Sequence, residues 1–491
     1  MDLKRSIIFV HRWLGVGLCV LFGVWFASGI GMMYWDFPVV SAADRLDRSP
    51  PLDASTVRLA PEQALAGIDA DRVPAGIRLN TFDGRPVYRF RIGREETLVY
   101  ADTGERPGVP SRSQLDRIAA AWARQPIDTA RAAEMTDIDQ WTVQGPLRTL
   151  RPLWKYSWPN GDHVYVAGAS GEVVQYTTTA SRIGAYIGPI PHWLYFTPLR
   201  ARQQTWSRVV IWTSGVGTIA AMLGIVIGVW MYSPAKRYRR EGLPSHLPYR
   251  GQKRWHALLG LVFGLAAITW AFSGMLSMDP FPALADGRSA RNTVAQALRG
   301  RVRLSDFSTL GPSDALARLA GARVKELELA VVGGEPVYLA SLDGGDMRIV
   351  PVRGEPRTAF TADAITTMVT RAAGQGTAVT VDTLDRYDRY YLDRRGRKPL
   401  PVLVARLKDT DETRYYIDPK TARIVGTYSA RNWVSRWLYH GLHSLDFPWL
   451  YSHRPAWDIV VIAFMIGGAA LSVTSITLAY RVLTTRAARS E

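Results

Sequence analysis

HRWLGVGLCVLFGVWFASG at His11–Gly29 and HALLGLVFGLAAITWAFSG at His256–Gly274 are one pattern used twice. His11, Gly15, Trp25, Ser28 and Gly29 fall on His256, Gly260, Trp270, Ser273 and Gly274 without a gap, at an offset of 245. Each stretch sits in a long apolar run, Ile7–Tyr34 and Trp255–Met278. Two more runs follow the same rule, Trp206–Tyr232 and Trp457–Tyr480. All four exceed the ~20 residues that cross a bilayer as a helix. Polar stretches, 36–205 and 279–456, separate them. This mosaic excludes a single soluble domain and a compact many-helix transporter. It predicts an α-helical membrane protein with four transmembrane helices in two pseudo-symmetric halves, carrying two α+β domains outside the membrane.

The expected division is a first transmembrane helix in 1–35, a first outer domain in 36–205 ending in an interfacial helix, and a second transmembrane helix in 206–232. A basic loop at 233–254, a third transmembrane helix at 255–278 and a second outer domain at 279–456 follow, with a fourth helix and tail at 457–491. The net charge of +17, from 60 Lys+Arg against 43 Asp+Glu, bears first on orientation. Lys4 and Arg5 precede the first span. Lys236, Arg237, Arg239, Arg240, Arg250, Lys253 and Arg254 lie between the second and third, and Arg481, Arg486 and Arg489 follow the fourth. The positive-inside rule makes these segments cytoplasmic, termini included, and both large domains periplasmic in a bacterial inner membrane. MMYWDFP at Met32–Pro38 is no small-residue cleavage site, so the first run reads as a retained anchor.

The outer domains repeat as well. GRPVYRF at Gly84–Phe90 resembles GEPVYLA at Gly334–Ala340, and HVYVAGASGEVVQY from His163 aligns with RYYIDPKTARIVGTY from Arg414. At an offset of 251, His192 falls on His443, Trp206 on Trp457 and Val209–Ile211 on Val460–Ile462. Both copies start on the same side and run the same way, so a pseudo-two-fold axis along the membrane normal relates them. Pro61–Gly67 and Gly311–Gly321 read as short helices. VYRFRIG, ETLVYAD, HVYVAG and RYYIDP read as strands joined by Gly/Asp turns.

Four of the eight histidines occupy repeat-equivalent positions. An ionisable side chain at membrane depth is a functional candidate, and histidine is a common axial ligand of b-type haem. His11 and His256, facing each other across the axis, provide the two imidazoles of a six-coordinate haem iron near the cytoplasmic face. His192 in IPHWLYFTPLR and His443 in YHGLHSLDFPWL provide a second pair near the outer face, on short interfacial helices rich in Trp and Tyr. Gly15, Gly29, Gly260 and Gly274 lie on the histidine-bearing stripe and leave room for a flat macrocycle; close helix packing is the other role for them. The outer histidines have a competing reading as polar anchors in an aromatic belt. His440 lies three residues before His443 with Pro189 as its counterpart, and stands as an alternative ligand, a supporting group or a substrate contact. His453 is a possible contact for a haem propionate or substrate. Arg12 and Arg254 read mainly as membrane anchors, and Trp193, Trp433, Trp437 and Trp449 as belt residues.

Other chemistry is excluded. The single cysteine, Cys19, rules out an internal disulfide, a four-cysteine zinc site, a protein-bound iron–sulfur cluster and a CxxCH attachment. GVGTIA at Gly215–Ala220 lies within a span, with no strand before it, and is not a dinucleotide motif. No Walker A, HExxH or GxSxG occurs, and no basic helix with interleaved aromatics marks a nucleic-acid partner. The lipid bilayer is the partner the composition itself implies. No catalytic residue is assigned.

The HRWLG-like first span of each half, the mixed outer domain, and the PHWLYFTPLR and LYHGLHSLDFPWL segments together resemble the PepSY-associated transmembrane family of iron-regulated inner-membrane proteins and ferric-siderophore reductases. The resemblance covers nearly the whole chain. It implies b-type haem, two by the histidine count, and electron transfer to ferric siderophores in the periplasm, with a quinol or a separate reductase as donor. The reduction is chemically reasonable, because hard oxygen chelators hold Fe(II) far more weakly than Fe(III). The other function compatible with PepSY-like domains is sensing or protease modulation without redox activity.

Overall fold

The computed structural model describes residues 3–67, 74–93, 95–240, 243–278, 280, 288–374 and 376–490. The domain limits at 1, 279 and 491 fall outside these residues. The side chains of Arg239, Arg240, Arg486 and Arg489 also lie outside the description.

Four helices are long and apolar enough to cross a membrane: Leu3–Tyr34, Gln203–Met231, Gly251–Leu276 and Ala456–Ser490. Each of the four apolar runs lies on one of them. Their outward faces carry exposed aliphatic and aromatic side chains, among them Val20, Trp212, Val262, Leu265, Ile459 and Val473, a surface suited to lipid. The first helix packs against the second and fourth, and the third packs against the same two. The first and third therefore lie on a diagonal, and side chains rather than backbones bridge the gap between them. Small residues set the close approaches elsewhere: a Cβ on Gly467 would lie 2.3 Å from Phe263, and one on Gly468 2.3 Å from Phe26.

The polar stretches form antiparallel sheets. In the first stretch these are β1 (Gly76–Phe82), β2 (Arg85–Ile92), β3 (Glu95–Tyr100), β4 (Arg131–Met135), β5 (Leu153–Ser157), β6 (His163–Ala167) and β7 (Val173–Thr177). β8 (Tyr238–Arg240) and β9 (Leu243–Ser245) pair in the basic loop. The second stretch supplies β10 (Arg299–Gly300), β11 (Val324–Val332), β12 (Glu335–Leu342), β13 (Met347–Pro351), β14 (Val379–Leu384), β15 (Val402–Leu407), β16 (Arg414–Asp418) and β17 (Arg423–Tyr428). Strands expected at VYRFRIG, ETLVYAD, HVYVAG and RYYIDP are β2, β3, β6 and β16. The expected helices are Pro61–Ala66 and Pro312–Ala317, each opened by a proline in its first turn.

β4 to β7 form one four-stranded sheet and β14 to β17 another. Helix Arg112–Ala123 lies against β6, its N-terminus capped by Ser111 Oγ accepting from the Gln114 amide at 3.3 Å. Helix Ala362–Ala373 covers β14 and β15, capped in the same manner by Thr361 and the Ala364 amide at 3.2 Å. Apart from the two-residue strand β10, which pairs with β11, both stretches thus share an order: three strands, a helix, four strands.

The remaining sheet joins them. Its order is β13-β12-β11-β1-β2-β3, so strands from the two stretches pair at its centre. Ile77 lies opposite Leu329, Arg78 opposite Glu328 and Leu79 opposite Leu327. One apolar core lies beneath, built from Ile77, Leu79, Tyr88 and Phe90 together with Leu327, Leu329 and Tyr338, all at or below 1% exposure. The outer domains are therefore not two separate modules.

Candidate functional site

The bundle brings histidines from distant parts of the chain close together at both ends. His11 on the first helix and His256 on the third have ring centroids 6.2 Å apart, across the diagonal. His192, on the short helix Pro189–Trp193, and His443, on the turn Leu442–Ser444, have centroids 6.1 Å apart. His192 bonds Trp25 and Ser28, fourteen and seventeen residues beyond His11. The pairs are thus separated by roughly 20–25 Å along the helix axis.

The Nδ1 atom of each histidine is engaged. His11 Nδ1 donates to the Ala220 carbonyl at 2.9 Å. His192 Nδ1 donates to the Trp25 carbonyl at 3.2 Å and lies 3.2 Å from Ser28 Oγ, which gives its own hydrogen to Val24 O at 2.6 Å. His443 Nδ1 lies 3.0 Å from Ser273 Oγ, which bonds Trp270 O at 3.2 Å. His256 Nδ1 lies 3.3 Å from both Thr474 Oγ1 and Ser475 Oγ, and both hydroxyls bond Leu471 O. The hydroxyls beside His256 and His443 fit either tautomer, but a carbonyl can only accept, so Nδ1 carries the proton in the His11 and His192 rings. Nε2 there keeps its lone pair, the arrangement by which outer partners orient a metal-ligating histidine.

At the outer pair, desolvation at the helix ends lowers His192 to about 4, against the opposing effect of the Trp25 carbonyl. Desolvation, with His192 and Arg394 adding, lowers His443 to about 3. Both imidazoles are neutral at neutral pH, the ligating form.

The glycine stripe divides by role. A Cβ on Gly15 would meet nothing within 4 Å, and one on Gly260 only Leu471 Cδ1 at 3.9 Å. These two leave open space rather than seat a neighbouring helix. Cβ atoms on Gly29 and Gly274 would each lie 3.6 Å from the Cε1 of His192 and His443. A Cβ on Gly29 would also lie 2.8 Å from Met465 Sδ and Cε, so this glycine serves packing as well.

Two metal-bound imidazoles with bonds of about 2 Å place their ring centroids about 6 Å apart, so either pair has the spacing to share one ion. Among the described residues no group of three His, Cys, Asp or Glu converges into a metal cage. Two imidazoles alone suit an iron whose other four ligands come from a porphyrin. The residues present therefore fit a bis-imidazole haem at each end.

His440 does not join the outer pair. Its ring packs on Tyr439 at 4.6 Å, and the Tyr439 ring in turn lies 5.5 Å from His443, whereas His440 makes no ring contact with His192 or His443 among the described residues. The wide turn responsible, the π-helix Val434–Gly441, rotates His440 out to an exposed position. His453 is exposed and bonds the Trp449 carbonyl through Nδ1 at 2.7 Å, away from both pairs.

Sequence reasoning assigned no role to Ser28 and Ser273, although both were repeat-matched. It also missed Gly224, where a Cβ would lie 2.8 Å from His11 Cε1, and the Thr474–Ser475 pair. Those positions carry no repeat signal. An aromatic cluster, Phe22, Phe26, Trp270 and Phe464, lies near the level of the His192–His443 pair, with centroid spacings of 5.8–6.4 Å. Compared with known proteins, the chain matches no family model and no curated protein.

Proposed function

We propose that this protein is a duplicated inner-membrane electron-transfer protein holding two b-type haems, of the PepSY-associated transmembrane kind, that reduces ferric siderophores on the periplasmic side during iron uptake. The observation that carries the reading is the pair of imidazole pairs, at 6.2 and 6.1 Å, with all four Nδ1 atoms tied down.

The duplication is supported by the shared strand and helix order and by the central sheet. Arg78 and Glu328 are 250 residues apart, equivalent in the repeat, and opposite each other in the β1–β11 register. That is where a two-fold pivot between copies would fall. Orientation follows from the charge beside the spans, which makes the histidine pair next to Lys4, Arg5 and Arg254 the cytoplasmic one.

A haem held by two imidazoles supplies one-electron chemistry at iron. The chain's own part is positioning. His11 and His256 hold the inner group, their rings fixed by Ala220, Thr474 and Ser475. His192 and His443 hold the outer group, their rings fixed by Trp25, Ser28 and Ser273. Gly15 and Gly260 leave the space in front of the inner ligands clear. The electron donor is a quinol or a separate reductase at the inner end.

Oxidised and dithionite-reduced optical spectra of the full chain test this. Low-spin b-type haem is expected. His11→Ala and His443→Ala should each lose roughly half of it, one site of two, while His440→Ala keeps both. A Soret band unchanged in both His11→Ala and His443→Ala would remove the ligand assignment. A colourless protein that binds a periplasmic protease would point instead to the sensing role.

A further inference from the structure

The two halves are alike at their histidine pairs and unlike beside the outer one. The loop 385–401, DRYDRYYLDRRGRKPLP, carries six Lys and Arg, whereas the corresponding stretch of the first half, 134–150, EMTDIDQWTVQGPLRTL, carries one. His440 likewise has Pro189 as its counterpart. Cofactor ligation needs the symmetry, so a feature built on one side only serves something else.

That loop folds over the outer histidines. Arg394 Nη2 donates to Ser444 Oγ at 3.0 Å, one residue from His443, and its guanidinium stands 5.6 Å from the Trp457 ring. Lys398 Nζ lies 5.0 Å from the Tyr391 ring. Arg436 is 7% exposed, donates to the Arg389 carbonyl and to the Asp446 carbonyl at 2.8 Å, and has Nη1 buried with no hydrogen-bond partner. Among the described residues, none of Arg394, Lys398 and Arg436 forms an ion pair.

Of the nearby acids, all but Asp446 are engaged elsewhere. Asp393 accepts the backbone amides of Arg395, Arg397 and Lys398. Asp388 accepts from the Tyr416 hydroxyl at 2.8 Å. Asp36, at the end of the first helix, pairs with Arg395 and Arg397. Asp446 is buried, and desolvation raises it to about 6 against the pull of Arg394 and Arg436. The charges that act most strongly on the exposed His440 ring are Arg436, Arg394 and Lys398, all cations.

We propose that Arg394, Lys398, Arg436 and His440 form the docking site for the electron acceptor, and that this acceptor is an anionic ferric chelate with carboxylate or catecholate oxygens rather than a cationic one. The inference rests on the electron-transfer reading for its purpose. Guanidinium groups bind carboxylates and catecholates through charge-assisted hydrogen bonds, and an unpaired cationic cluster concentrates anions near the surface. Docking there places the chelate beside Tyr439 and His443, where the chelated Fe(III) takes one electron and becomes Fe(II). A quinol gives two electrons and two protons, enough for two such ions.

The test uses gallium(III) citrate, a redox-inert probe, with the full-length protein in detergent. Calorimetry should show binding that weakens with added salt. Arg394→Gln with Lys398→Gln, both exposed, should weaken it roughly five- to tenfold, the scale of two exposed charge contacts. Stopped-flow reoxidation of the reduced protein should slow by a similar factor for ferric citrate and stay unchanged for a neutral ferric hydroxamate. No binding of gallium citrate by the wild type, or equal binding by the double variant, overturns the proposal. So does a double variant that binds the probe normally but has an altered haem midpoint potential, since the cations would then hold the cofactor's own propionates. A haem-free protein that still binds gallium citrate keeps the docking site and removes the redox reading, so the two failures are distinguishable.

Discussion

Ser28 and Ser273 show how much depends on single side chains. Each hydroxyl bonds its own helix backbone and stands against the Nδ1 of an outer histidine. Their match was plain in the repeat, but the partner histidines lie 164 and 170 residues away, and no spacing rule connects them. Asp446 is a second such case. Its carboxyl is buried and raised to about 6, so the folded protein stays protonated over a range where the unfolded chain ionises. Stability should therefore fall as pH rises from about 4 to about 6 and level off above, by at most about 3 kcal/mol for a two-unit shift. Asp446→Asn should remove that slope, measured as thermal-inactivation half-life against pH; an identical slope in the variant would assign it to another group. Gly15→Ala makes a different distinction. With nothing within 4 Å, it should leave polypeptide stability unchanged while lowering haem content. Full haem retention would show that the open space is not the cofactor's.

At the scale of elements, the outer site is made where a short helix lands on a long one. Gly31 and Gly188 meet backbone to backbone: a Cβ on Gly31 would lie 2.7 Å from Gly188 Cα. This contact seats Pro189–Trp193, and with it His192, on the end of the first helix. Gly31→Ala has only backbone to push against, so it should destabilise the fold by about 1–3 kcal/mol and loosen the outer site before the inner one. Thermal denaturation with the Soret amplitude as a second signal checks this, and an unperturbed melting profile would refute it. Short helices were expected in IPHWLYFTPLR and YHGLHSLDFPWL from their Trp and Tyr content, and Pro189–Trp193 and Leu442–Ser444 lie there. The π-turn that separates His440 from His443 was not. An i+3 spacing puts two side chains on one face of an α-helix, and only the wider turn moves them apart.

For the whole molecule, the decisive contact is the β1–β11 pairing over a common core. Leu327 has no exposed surface and packs among residues from both polar stretches. Leu327→Ala should cost about 2–5 kcal/mol, and limited proteolysis should then open both outer domains together. Cleavage confined to one stretch would mean that they fold independently. The membrane orientation is checked in the same way on the intact molecule. Ser111→Cys in a Cys19→Ala background should react with an impermeant maleimide from the periplasmic side, and labelling only after lysis would reverse the topology.

Composition and periodicity determined the spans, the expected direction of insertion and the residue match between the two halves, because lipid requires long apolar helices and the matched residues are read directly along the chain. The repeat singled out the four histidines, and the apolar runs around His11 and His256 made those two stand out as ionisable side chains. The tertiary structure alone decided that the histidines pair as 11 with 256 and 192 with 443, that His440 stands apart, and that the outer domains share one sheet. Those outcomes depend on distances between segments hundreds of residues apart. Local pattern carries no record of such distances, which the packing of the helix diagonal and the central strand register establish.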